Sequence, residues 1–195
     1  MRYRITRYSR LFSYLKCNRT QNLITILRSH SQIVCVSIGV DEEWLKIKSL
    51  YQKEKYNEKD LLTDLKEILD HPNISNRTMV WHNLIGFDVP FLVKRFIINW
   101  IALPKILRIW KQKPREVNME DTLVMWKSTW VMWAWLWLLC ELFRIDNPKS
   151  DIDWSDVSDA FHKWEYDRIA KYCEADVKAT YEVYMRMIDM WINFN

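Results

Sequence analysis

The stretch 77–96, RTMVWHNLIGFDVPFLVKRF, joins a short apolar run to a helix-like apolar pattern. The pattern of RTMVW predicts a strand, and DVPFLVKRFIINW, which continues to residue 100, predicts a helix whose first turn accommodates Pro90. Asn83, Phe87 and Asp88 fall between the two elements. A carboxylate at such a junction can face a ligand at the end of a sheet, so this stretch predicts both the fold and a site.

Strand and helix patterns alternate outward from this junction. HPNISN interrupts the pattern before the junction strand, and DEEW at 41–44 predicts a hairpin turn. The predicted strands or extended segments cover 32–40, 44–50 and 117–126, and the predicted helices cover 59–70, 133–144, 155–162 with a cap at Ser155, and 165–191. Alternating strands and helices indicate an α/β fold with a mixed sheet flanked by helices in a single domain.

Composition limits the class of protein. With 195 residues, 49% hydrophobic, the chain can bury one sizeable core, and we expect a domain over 31–195. No apolar run is long enough for a membrane span, which favours a soluble, cytoplasmic protein with no membrane partner. The net charge of +4 is compatible with a nucleic-acid partner. The cysteines lack metal-site spacing and are expected to be buried or incidental thiols: Cys17, Cys35, Cys140 and Cys173.

A second acidic motif lies in the last predicted helix. Tyr172 and Asp176 in YCEADVKATYEVYMRM are four residues apart and therefore share one helical face. Hard cations such as Mg²⁺ or Mn²⁺ bind through few carboxylates together with water and substrate phosphate. Asp88 and Asp176 could supply such ligands. An N-terminal helix acid and a solvated helix face remain the alternative interpretation of the two motifs.

The combination Asn83-x-x-x-Phe87-Asp88 and Tyr172-x-x-x-Asp176 resembles the second and third motifs of the DEDDy exonucleases. The chain is similar to the predicted 3′-to-5′ exonuclease family related to the exonuclease domain of family B DNA polymerases, which has a ribonuclease-H-like fold. The similarity covers roughly 32–192. It rests also on the segments LLTDLKEIL, LLCELFRIDNPKSDIDWSDV and YCEADVKATYEVYMRM.

This resemblance implies phosphodiester hydrolysis at a site for two Mg²⁺ or Mn²⁺ ions. Asp88 and Asp176 would bind metal, and Tyr172 would orient the attacking water. Asn83 and Phe87 would position the terminal nucleotide. The implied partner is single-stranded nucleic acid, with DNA favoured over RNA; no replication or repair partner is identified by sequence. A ribonuclease-H-like module that binds nucleic acid without cutting it is the alternative.

Other polar residues have weaker functional signals. His82 is expected to be a packed or hydrogen-bonded neighbour of Asn83 rather than a base. Asp121 matches an acid of the family pattern, but its spacing assigns it no role. An EF-hand is disfavoured because His162 stands where the loop requires Glu, although acids recur upstream at Asp151, Asp153, Asp156 and Asp159.

Glycine and tryptophan usage is abnormal. Average usage of about 7% predicts about 14 glycines, yet the chain has 2 glycines and 12 tryptophans. Several tryptophans stand where turns or the family pattern favour glycine, including Trp81, Trp154 and Trp164. We hypothesise that UGA encodes glycine in this gene and has been translated as Trp; reversion of these three residues to Gly is then predicted to stabilise the protein. Alternatively, the tryptophans are native and form an aromatic-rich core or a base-stacking surface.

The segment 1–30 is basic and contains no Asp or Glu. It resembles an organellar transit segment or a basic nucleic-acid arm. The exonuclease family carries Asp-x-Glu on its first strand, and this chain lacks that pair. If Arg2 and Arg4 are AGA codons, a one-nucleotide shift across 2–5 can be read as Asp-Ile-Glu, and the shifted frame across 8–12 permits Ile-Pro-Asp-Phe. We therefore hypothesise that 1–30 is an out-of-frame first strand and that the chain as written has impaired activity.

Overall fold

The computed structural model describes most of the chain, namely residues 10–18, 32–42, 44–53, 55–109, 117–127, 133–146, 152 and 155–193. The strands are β1 (Arg10–Asn18), β2 (Gln32–Asp41), β3 (Leu45–Tyr51), β4 (Thr78–Trp81) and β5 (Met119–Asp121). The α-helices are α1 (Glu58–Asp70), α2 (Pro72–Ser75), α3 (Val89–Ile98), α4 (Thr122–Trp126), α5 (Leu136–Phe143), α6 (Val157–His162) and α7 (Tyr166–Asn193). A π-helical turn, Leu84–Asp88, precedes α3, and a 3₁₀ turn spans Lys105–Leu107.

The strands form one mixed sheet in the order β3-β2-β1-β4-β5. β1 is central, antiparallel to β2 and parallel to β4, and β4 is parallel to β5. The pairing of β1 with β4 ends at Phe12 opposite Val80, so the rest of β1 continues beyond the last paired residue of β4. The part of β1 after Phe12 therefore extends towards the edge of the sheet at which the turn into α3 lies.

Helices cover both faces of the sheet. Met79 and Trp81 of β4 pack in a core that includes Leu61 and Leu65 of α1 and Phe96 of α3. Val80, between them, packs against Val177 and Tyr184 of α7. The two faces alternate along β4, as the period of a strand requires. The mixed α/β fold predicted from the sequence is therefore confirmed.

A buried cluster of charged and polar side chains links α3 to the sheet and to α1 by hydrogen bonds. The Glu58 carboxylate accepts from the backbone N–H of Ile33 at 2.6 Å, from Nε of Arg95 at 2.8 Å and from Nδ2 of Asn99 at 3.0 Å. Burying these charges is tolerable because each is paired and hydrogen-bonded. The group fixes α3, whose other end carries Asp88.

β1 was not predicted from its sequence, and α5 begins at Leu136 rather than at 133. The other predicted elements differ from the structure in three places. The predicted extended segment 117–126 was wrong beyond Asp121, because the Asp121 side chain caps a helix that begins at Thr122. The predicted Ser155 cap was also wrong: α6 begins at Val157 after a turn through Asp156, which makes no side-chain cap bond. The interruption after α1 contains the short helix α2.

Two helices end in tryptophans that adopt the left-handed conformation. Trp100 has φ of 57° after α3, and Trp164 has φ of 63° after α6. Each follows a Schellman pattern, in which the N–H of the next residue reaches the carbonyl five residues back: Ile101 to Phe96 and Glu165 to Ala160. Glycine normally occupies this position, since side chains with a Cβ incur a steric penalty there. Both sites therefore fit the hypothesis that Trp replaces Gly.

Reversion of Trp100 and Trp164 to Gly is expected to stabilise the protein by about 1 kcal/mol per site, because the left-handed penalty is removed. Both side chains are exposed, at 94% and 63%, so little packing is lost. Trp44→Gly is the matched control, since Trp44 is 61% exposed but has no left-handed backbone. The unfolding temperature should rise for Trp100→Gly and Trp164→Gly and should not rise for Trp44→Gly. An equal or lower unfolding temperature at both sites would indicate native tryptophans.

Trp81 does not follow the same expectation. It is 2% exposed and packs in the core, so Trp81→Gly would leave a cavity and is expected to destabilise the chain as written. The structure therefore reverses the expectation for Trp81, although its buried indole N–H has no hydrogen-bond partner within the described part of the chain. Trp154 and Asp153 lie outside the described residues.

Cys35, Cys140 and Cys173 are buried thiols, in agreement with the expectation from sequence. Among the described residues, no helix is both long enough and apolar enough to cross a membrane.

Candidate active site

The junction after β4 presents Phe87 and Asp88 at the start of α3. Asp88 is buried, occupies the N-cap position of α3 and makes no side-chain cap bond. Phe87 stacks on Phe91, with ring centroids 5.7 Å apart and an interplanar angle of 7°. The strand-to-helix junction predicted from the sequence is confirmed, with a π-helical turn between the two elements.

Asn83 opens this turn with an unusual backbone conformation. Its φ of 62° lies in the left-handed region, where Asn is tolerated better than most residues. Its N–H donates to Oδ1 of Asp121 at 2.8 Å, and its carbonyl accepts from the N–H of Phe87 at 3.2 Å. The Oδ1 atom of Asn83 lies 2.5 Å from the place where a Cβ on Gly86 would stand. Glycine at 86 therefore leaves room for the Asn83 carboxamide.

His82 ties β4 to two neighbouring segments. Its Nε2 lies 2.9 Å from the carbonyl of Ala134, and its Nδ1 lies 2.9 Å from Oγ1 of Thr122. A carbonyl can only accept, so Nε2 carries the proton and Nδ1 is able to accept from the hydroxyl. Burial lowers the pKa of His82. The expectation of a packed, hydrogen-bonded His82 is confirmed.

Stability is expected to fall as the pH drops below 6.5, the ordinary histidine pKa. The unfolded chain takes up a proton at His82 there, whereas the folded chain resists it, so the stabilisation is full above 6.5 and is lost on acidification. Urea unfolding at several pH values measures this dependence. His82→Gln should flatten it. If the stability of His82→Gln depended on pH as strongly as that of the parent, the assignment of this dependence to His82 would be contradicted.

Tyr172 and Asp176 lie on α7 and are both buried. Tyr172 packs beside Val34 and Cys35 of β2. Asp176 precedes Val177, which packs against Val80 of β4. Burial, with a contribution from the charge of Asp176, raises the pKa of Cys140 on α5 to about 12. Asp176 is thus one residue from the packing of α7 with β4, and Asp88 follows β4 in the chain. Their joint role in one metal site stays a prediction.

Two buried carboxylates are a donor set that fits one hard divalent cation completed by water and phosphate. Within the part of the chain that the structure describes, no three His, Cys, Asp or Glu side chains are grouped to hold a metal ion. The sequence of β1, RLFSYLKCN, contains no acid. The described ligands therefore do not complete a two-metal site.

The acids of the β2–β3 hairpin are engaged elsewhere. Glu42 forms ion pairs with Lys46 at 3.0 Å and Arg77 at 3.1 Å, and the hydrogen bond from Lys46 lowers the pKa of Glu42. Asp41 is the last residue of β2. Glu43 lies outside the described residues. The hairpin-turn prediction agrees with this arrangement and leaves these acids as poor substitutes for ligands on β1.

The remaining candidates from sequence divide between described and undescribed positions. Asp156 lies in a turn and Asp159 in the first turn of α6. Asp151 and Asp153 lie outside the described residues, as do 2–5 and Tyr8 of the proposed frame shift. No role for Asp121 was predictable, because its bond to Asn83 joins residues that are far apart in the chain. The one local signal was an Asp immediately before a helix.

Comparisons with known proteins agree with this geometry. Residues 23–195 match the family described as a predicted 3′-5′ exonuclease related to the exonuclease domain of PolB. No curated protein is significantly similar in sequence. Among solved structures, the family B DNA polymerase from the hyperthermophilic archaeon Pyrobaculum calidifontis is similar, with a TM-score of 0.70 and 13% identity.

The similarity covers 93% of this chain and 24% of the polymerase chain, so the chain spans about a quarter of that relative. At 13% identity it supports the fold alone. The family match covers most of the chain and includes both motif segments. Exonuclease domains of this type typically use divalent metals. The chain belongs to the family of predicted 3′-5′ exonucleases related to the exonuclease domain of the family B DNA polymerases.

Proposed function

We propose that the protein is a metal-dependent 3′-5′ exonuclease acting on single-stranded 3′ ends. The observation that carries the proposal is the turn after β4, which presents Asn83, Phe87 and a buried Asp88. Asp176 is buried on α7 and is next in sequence to Val177, which shares a core cluster with Val80 of β4. Such a turn suits a chain end better than a duplex groove, because only a few residues project from it. The family membership supports the same reaction class.

In this proposal, Asp88 and Asp176 hold Mg²⁺ or Mn²⁺. The bound metal would supply charge stabilisation for the transferred phosphate. Tyr172 orients the attacking water through its hydroxyl. Phe87, already stacked on Phe91, presents an apolar surface to the terminal nucleotide, and the carboxamide of Asn83 hydrogen-bonds to it.

We propose DNA rather than RNA as the substrate, on the similarity to a DNA polymerase. Single strands suit a site lined by aromatic side chains, because every base can stack on an aromatic ring. We propose no specific replication or repair partner.

We further propose that the chain as written is impaired, because β1 carries no acid. The frame-corrected chain is the form in which the one-nucleotide shift supplies Asp-Ile-Glu at 2–5. The acid-free β1 favours a second candidate, a module that binds single strands without cutting them.

A linear single strand and a circular strand of the same composition distinguish these candidates. The frame-corrected chain in Mn²⁺ should shorten the linear strand stepwise from its 3′ end, leave the circle intact and stop on addition of EDTA. Cleavage of the circle would indicate an endonuclease and contradict the proposal. Binding of the linear strand with no shortening would establish the second candidate.

A further inference from the structure

The Asp121 carboxylate lies between two backbone segments at the ends of neighbouring strands. Its Oδ1 accepts from the N–H of Asn83 at 2.8 Å and from the N–H of Leu123 at 2.9 Å. The first bond reaches the turn after β4, and the second caps α4. Asp121 is buried; its bond to Leu123 is buried and its bond to Asn83 is partly buried, which limits competition from water.

Left-handed Asn83 needs such support. The conformation with φ of 62° is sparsely populated outside glycine, and persists where surrounding contacts hold it. A charged acceptor forms a stronger hydrogen bond than a neutral one. The Asp121 carboxylate therefore holds the backbone of Asn83 in the conformation that aims its side chain.

The support continues into the turn. The carbonyl of Asn83 accepts from the N–H of Phe87, which directly precedes Asp88. On the other side, the Asn83 carboxamide lies close over Gly86. One chain of contacts thus runs from β5 through Asn83 to the start of α3.

We propose that Asp121 is a positioning residue that orients Asn83 for the terminal nucleotide. This inference rests on the proposed function and adds a residue to its site. Asp121 touches no substrate itself; it acts through the backbone of Asn83. Its replacement lowers the preference for a free 3′ end and leaves general attraction to nucleic acid in place.

The test compares the affinity for a short, linear 5′-fluorescein-labelled oligothymidylate with the affinity for a circular oligothymidylate. Fluorescence anisotropy measures binding of the linear strand, and competition against that strand measures binding of the circle. Ca²⁺ replaces Mn²⁺ to limit hydrolysis. Asp121→Ala should lower the linear-to-circular affinity ratio by about tenfold, as loss of a buried charged hydrogen bond predicts. Asp121→Asn keeps an acceptor oxygen for both N–H groups and should keep the ratio within about threefold.

Asn57→Ala is the matched control for helix capping. Asn57 caps α1 through the N–H groups of Lys59 and Asp60, away from the turn after β4. Both Ala variants lose a helix cap and are expected to be destabilised to a similar extent. Only the Asp121 variant should change the ratio.

Gly86→Ala displaces the Asn83 carboxamide without touching either cap. It should lower the ratio as Asp121→Ala does. A lowered ratio for Gly86→Ala with an unchanged ratio for Asp121→Ala would overturn the positioning role and leave the proposed function standing. Unchanged ratios for both would overturn the role of Asn83 and, with it, of Asp121. Failure of the unaltered chain to prefer the linear strand would overturn the inference together with the proposed 3′-end recognition.

Discussion

The frame-corrected chain is expected to release nucleotides from a 3′-labelled single strand about a thousandfold faster than the chain as written. Completing the metal site restores transition-state stabilisation of several kcal/mol, and about 4 kcal/mol corresponds to this factor. The measurement is the initial rate in Mn²⁺ at equal concentrations of folded protein.

The position of β1 is the physical reason for this expectation. β1 is central, runs parallel to β4 and continues past it towards the edge where the Asn83 turn begins. An acid on β1 beyond Phe12 would lie at that edge, and the acids at 2–5 of the frame-corrected chain reach it only if the corrected strand pairs with β4 through residues earlier than Arg10. Comparable rates for the two chains would refute the missing-motif hypothesis and make Asp41, Glu42 and Glu43 the next candidate ligands.

Asp88→Ala in the frame-corrected chain is expected to reduce the rate by about a thousandfold, because a metal ligand is lost at the reacting phosphate. Asp156→Ala is the matched control, since Asp156 also occupies an N-cap position without a side-chain cap bond. Its rate should stay within about twofold of the parent, as is usual for surface changes away from a site.

Thermal unfolding of both variants checks that they are folded. Activity that survives Asp88→Ala unchanged would mean that the metal site lies elsewhere. Equal losses in both variants would point to damaged structure rather than to a lost ligand.

Local patterns were sufficient to predict most elements. Apolar runs predicted β2 and β4, which are buried on both faces, and apolar periodicity predicted α1, α3 and α7, each of which buries one stripe. The pattern failed at Thr122, where the cap from Asp121 starts a helix in an apolar run that fits a strand equally well. β1 was not predicted as a strand from its own sequence as written, because its place depends on pairing with β2 and β4.

The site was predictable only where its residues are close in sequence. Asn83, Phe87 and Asp88 share one turn, and Tyr172 and Asp176 share one helix. The contribution of Asp121 arises from a long-range bond and has no periodic signal. The left-handed helix ends at Trp100 and Trp164 are likewise visible only in backbone angles.

The number of Mn²⁺ ions bound per chain, counted by electron paramagnetic resonance, tests the metal site most directly. Asp88→Ala and Asp176→Ala are each measured in the frame-corrected chain and in the chain as written. We predict two ions for the frame-corrected chain, at most one weakly held ion for the chain as written, and loss of binding in both variants. Mn²⁺ binding that is unchanged when Asp88 and Asp176 are replaced would contradict the proposal that these carboxylates form the metal site.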